Sequence, residues 1–183
     1  MIFLRELFSH ICGQQHCWVL GGQTLPFCQR CAGLYVGAFC ALILILILRL
    51  RPTVFLYWVH GIFMLVMIPF GFHFVAHGGL TRTLTGALFG FGLVYYLALN
   101  PFTAWQAWKA DTAWRTRAYL LLIATLLPLL LLTVRLGGGL SALVLTGLGV
   151  LGFAALCVLT AVNLAVLPGT FRTLRSRSVT QSE

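Results

Sequence analysis

Five long apolar runs, separated by short polar interruptions, set the pattern of the chain. They cover residues 32–48, 53–72, 83–99, 118–134 and 140–167. A helix needs about 20 largely apolar residues to cross the hydrocarbon of a bilayer. None of the runs alternates with a period of two, as barrel strands would, and backbone groups in lipid must bond within their own segment. The pattern predicts an all-α integral membrane protein, a compact bundle of about five transmembrane helices. Residues 1–31 precede the bundle as a short Cys/His-rich segment folded at the membrane surface, and residues 168–183 follow it as a polar basic tail, disordered at its end.

The interruptions are short. Arg49-Leu50-Arg51-Pro52 reads as a tight turn, and residues 73–82 as a slightly longer loop unless the second helix continues to His77. Residues 100–117 form the longest loop, where Trp105, Trp108 and Trp114 read as an interfacial belt. A glycine-rich turn at residues 135–139 joins the last two spans. Gly33 and Gly37, Gly86 and Gly90, and the group Gly147, Gly149 and Gly152 place small residues on three of the spans. Small residues let helix backbones approach in lipid, so these glycines predict close helix packing rather than a ligand.

Composition agrees with the pattern. Of 183 residues 60% are hydrophobic and 8% charged, against about a quarter charged in a soluble domain. The formal net charge of +9 would suggest nucleic acid in a soluble protein, but no basic patch with interleaved aromatics stands on a soluble module. Nucleic acid is set aside, and the partner implied is the lipid bilayer, with other membrane subunits a further expectation. Residues 1–20 lack the basic start, long apolar stretch and small-residue site of a cleaved signal, so the first span is expected to direct insertion. Five spans put Arg5, Arg30, Arg82 and Arg135 on one side. Arg49, Arg51, Lys109, Arg115, Arg117, Arg172, Arg175 and Arg177 fall on the other. The excess places the C-terminus in the cytoplasm and the N-terminus outside, as in the inner membrane of a prokaryote.

Chemistry concentrates on the outer face. Cys12, Cys17, Cys28 and Cys31 precede the first span, with His10 and His16 among them, and the topology brings His73 and His77 to the same side. Two mechanisms fit. A transition metal, zinc or iron foremost and copper also, takes three or four soft ligands, and Cys28-x-x-Cys31 with Cys12, His16, His73 or His77 supplies them. His73 and His77 share a helix face if the second helix reaches them. The alternative is a membrane thiol–disulfide oxidoreductase, with a quinone link as a further expectation, in which Cys28 and Cys31 are the active pair and Cys12 and Cys17 a shuttling pair. The N–H groups and dipole of a helix start stabilise a thiolate there. The third reading is a structural subunit whose cysteines only staple the N-terminal segment. Cys40 and Cys157, deep in spans, read as small hydrophobes. His60 lies inside the second span, where an ionisable group defaults to a functional hypothesis, although a neutral imidazole bonded to a neighbouring helix is inexpensive. Asn163 reads as interhelical glue.

What is absent narrows the field. Glu6, Asp111 and Glu183 are the only acids, so no carboxylate pair shares acid–base work and none sits in a span to relay protons or bind sodium. No phosphate-cradling loop and no haem-attachment CxxCH occur.

The run from Cys12 to Gly37 resembles the family called domain of unknown function 2085, small predicted membrane proteins of bacteria and archaea. Cys12, Gln14 and Trp18 match its opening element. Leu25, Pro26, Cys28, Arg30, Cys31, Gly33, Tyr35 and Gly37 match its Leu-Pro-x-Cys-x-Arg-Cys-x-Gly-x-Tyr-x-Gly motif. Pro69 with Arg82, Leu84, Thr85 and Gly86 is similar to its second element. The resemblance spans roughly the first hundred residues. Gly13 stands where the family has histidine, and His73 where it has an acid. The resemblance implies the membrane fold and the importance of these residues, and it implies no activity.

Overall fold

A computed structural model describes residues 6, 8, 16–50, 52–71, 74, 76, 78–99 and 112–180, with side chains for all of these but 99, 112 and 167–180. Among the described residues, Glu6 and Phe8 are helical, and an antiparallel hairpin follows, β1 (Cys17–Leu20) and β2 (Gln23–Cys28). Five helices follow: α1 (Gln29–Leu48), α2 (Val54–Gly71), α3 (Gly79–Leu99), α4 (Thr112–Leu136) and α5 (Gly139–Thr180). The hairpin turn is Gly21-Gly22, both at positive φ (55° and 75°), as a two-residue type I′ turn requires.

The five-helix bundle expected from the apolar runs is what forms. By length and composition α1, α2, residues 113–136 of α4 and residues 139–166 of α5 are each able to cross a membrane. The remaining helix, α3, carries Thr81, Arg82, Thr83 and Thr85 in its first two turns and packs against both α1 and α2. The apolar side chains that other helices do not cover face outward: Ile47, Trp58, Leu121 and Leu143 are well exposed, as suits hydrocarbon.

The α1–α3 seam is the tightest. A Cβ on Gly33 would strike the Thr83 carbonyl oxygen, and one on Gly37 the Ala87 carbonyl. A Cβ on Gly86 would meet the Arg30 carbonyl, and one on Gly90 that of Leu34. The pairs advance together, so the two helices run parallel with backbones in direct contact, as their glycine spacing predicts. Asn163 of α5 donates to the Leu97 carbonyl of α3 at 2.7 Å, in the gluing role expected of it.

Four expectations need correction. Residues 17–28 are a β-hairpin, which the reading of a bare surface segment did not include. α1 begins at Gln29, not residue 32, because Cys28 caps it; Cys31 therefore lies inside the first turn. α4 begins six residues ahead of the expected 118. α5 continues through Thr180, so residues 168–180 of the expected polar tail are helical.

The hairpin is tied to the bundle at its tip and at its base. Its tip reaches the α4–α5 turn, where the Gly21 N–H donates to the Gly137 carbonyl. Its base joins an aromatic cluster: the Phe8 ring lies 5.1 Å from both Phe27 and Phe153, edge on, and Tyr35 fills the space between them.

Candidate functional site

Cys28 occupies the junction between strand and helix. Its backbone is extended, its sulfur accepts the Cys31 N–H at 3.4 Å, and α1 starts at the next residue. Capping residues with a side-chain acceptor satisfy a backbone donor that a helix start otherwise leaves open. Here a thiol does this work, and the same N–H groups favour negative charge on that sulfur.

Strand pairing brings a second cysteine alongside. Cys17 of β1 is the register partner of Cys28 in β2. The Gln29 N–H donates to the His16 carbonyl at 2.8 Å, one residue outside that pair on each strand. This bond closes the ladder on the outer side of the Cys17–Cys28 pair, and an irregularity in register between Cys17 and Val19 interrupts it on the inner side. Cys28 is thus flanked by Cys17 across the sheet and by Cys31 one helical turn on. It is 2% exposed, whereas Cys17 and Cys31 are partly exposed.

The elements around the cysteines are fixed by polar ties that spacing alone does not announce. Arg30, between the two motif cysteines and 9% exposed, donates from Nη2 to the Phe70 carbonyl in the last turn of α2 at 2.9 Å. Trp18 donates from Nε1 to the Thr83 hydroxyl at 3.0 Å, and that hydroxyl lies 3.1 Å from the carbonyl oxygens of Gln29 and Gly79. Hairpin, α1, α2 and α3 therefore meet at the level of the CxxC.

Of the residues singled out from the sequence, the structure brings Cys17, Cys28 and Cys31 together, with the backbone of His16 beside them. His16 is exposed. Cys12, His10, His73 and His77 lie outside the described residues. Among the described residues no group of three or more His, Cys, Asp or Glu side chains is arranged to hold a metal ion. No disulfide joins two described cysteines. Cys40 and Cys157 stand apart on the inner lengths of α1 and α5.

A separate polar group sits in the other half of the bundle. His60 of α2 is fully buried. Its Nδ1 is 2.8 Å from the Leu56 carbonyl, which can only accept, so Nδ1 carries the proton. Nε2 is then the acceptor, and the Tyr119 hydroxyl of α4 donates to it at 2.8 Å. Tyr95 of α3 stacks on the imidazole with centroids 4.1 Å apart. Tyr95 stands twelve residues along α3 from Thr83, about 18 Å at 1.5 Å per residue, so His60 does not serve the cysteines. It ties α4 to α2 and α3.

Residues 12–96 match the model of a family described as predicted membrane protein (DUF2085). Neither curated proteins nor solved structures provide a match.

Proposed function

We propose that this chain, whose residues 12–96 match that family's model, is a membrane-bound thiol–disulfide exchange protein with Cys28 and Cys31 as its redox pair. The observation that carries the reading is the pair itself: a buried capping sulfur at the start of α1 and a partly exposed thiol one turn on. Cys31 is the entry nucleophile. Its thiolate attacks a disulfide of a partner protein, one partner sulfur leaves as thiolate, and a mixed disulfide forms. Cys28 then attacks the Cys31 sulfur, the second partner thiolate leaves, and a Cys28–Cys31 disulfide remains. The partner has gained two electrons and takes up two protons; the reverse sequence oxidises a partner dithiol. The motif faces the outside of a prokaryotic inner membrane in this reading, where such exchange has substrates.

A second reading keeps the same cysteines and adds Cys12 with His16, His73 or His77 around zinc, iron or copper. The two separate by elemental analysis of protein purified in mild detergent without chelator, combined with thiol counting. Exchange predicts no stoichiometric metal and two thiols that reducing and oxidising buffers interconvert. About one metal per chain, lost in Cys28→Ser/Cys31→Ser, would replace exchange with metal binding.

A further inference from the structure

Among the described residues two cysteines flank Cys28, one across the hairpin and one along the helix. Cys17 faces it across the antiparallel pair, and Cys31 follows it in the first turn of α1. A disulfide takes Cα atoms about 4.4–6.8 Å apart, a range that includes directly opposed residues of antiparallel strands at about 4.5–5.5 Å, and the register irregularity beside Cys17 gives that strand room to adjust. The first turn of a helix behind its cap accommodates the other linkage, as CxxC motifs do. The hairpin that presents Cys17 is held in place at both ends, by Gly21 on Gly137 at its tip and by Trp18 on Thr83 along its length.

We infer that Cys28 is a pivot between two alternative disulfides, Cys28–Cys31 and Cys17–Cys28, making Cys17 a third member of the exchange site. The inference rests on the redox reading of Cys28 and Cys31 above. The interconversion is internal. The Cys17 thiolate attacks the Cys28 sulfur, the Cys17–Cys28 bond forms, and the Cys28–Cys31 bond breaks. Cys31 leaves as thiolate and takes up the proton Cys17 gave up. No electrons enter or leave the chain, so no further oxidant is needed. The oxidising equivalent moves under the hairpin, and Cys31 returns to the surface as a thiol ready for the next partner. The sequence offered Cys12 as the companion of Cys17; strand register offers Cys28 instead.

The test is disulfide mapping of the full chain in mild detergent, equilibrated in glutathione buffers, acid-quenched and alkylated. Cleavage after Arg30 by trypsin separates Cys28 from Cys31, and cleavage after Trp18 and Phe27 by chymotrypsin separates Cys17 from Cys28. The wild type is expected to yield both linkages to Cys28. Cys31→Ser should retain only the Cys17 linkage and Cys17→Ser only the Cys31 linkage. A wild type that gives Cys28–Cys31 alone, or Cys17 joined to Cys12, would overturn the pivot and leave the redox pair standing. No disulfide at Cys28 under any buffer would overturn both. The wild-type digest decides the question even if a variant fails to fold.

Discussion

Cys28 caps a helix with sulfur, a role that Ser, Thr, Asp and Asn fill far more often. A serine there keeps an acceptor for the Cys31 N–H and removes the thiol. Cys28→Ser should therefore leave the thermal midpoint in detergent within a degree or two of wild type and abolish exchange. Cys28→Ala should lose about 1 kcal/mol of stability with the cap, read from the same melts. Equal loss in both variants would mean that the sulfur packs and does not cap. At His60 the expectation concerns the partner it leaves behind. His60→Leu strands the buried Tyr119 hydroxyl and should cost about 1–3 kcal/mol in the same assay, with no effect on cysteine exchange in the other half of the bundle. A coupled loss of exchange in His60→Leu would contradict the separation of the two sites. His60 was conspicuous in the sequence, as an ionisable residue in an apolar run. Arg30 was not: its burial depends on the Phe70 carbonyl forty positions away, a contact that no local pattern encodes.

Helices were legible because lipid imposes length and apolarity on them, and the glycine spacings of α1 and α3 named their seam. Gly33→Val or Gly86→Val should separate these helices and abolish a cooperative melt. Gly147→Ala is the control: its Cβ would meet nothing within 4 Å, and better helix propensity should leave stability equal or higher. Comparable damage from Gly147→Ala would show that glycine acts there through the backbone rather than through space. The hairpin escaped the reading although Gly21-Gly22 between two runs of β-forming residues is a recognised turn signal. The cysteines drew the reading toward ligand spacing, and the strands are too short to show alternation clearly. The start of α1 was missed for a related reason: cysteine is not among the usual caps, so nothing marked Cys28 as one. The continuation of α5 beyond residue 167 had no apolar periodicity to announce it.

On the scale of the whole molecule, five helices running alternately up and down set the N-terminal hairpin, the start of α3 and the α4–α5 turn at one end. The candidate thiol site is a product of that convergence: β1 supplies Cys17, β2 the cap, α1 the second thiol, and α2 and α3 the ties that hold them. The proposed topology, with the hairpin end outside the cell as the charge bias suggests, predicts that a membrane-impermeant maleimide added to intact cells labels Cys31. Labelling that requires permeabilised cells would invert the topology. The central claim, that Cys28 and Cys31 exchange electrons with partner thiols, is tested most directly by counting free thiols of the purified chain across a series of glutathione redox buffers. The account predicts one reversible transition of two thiols, absent from Cys28→Ser/Cys31→Ser. A count that stays constant from reducing to oxidising buffer would contradict it.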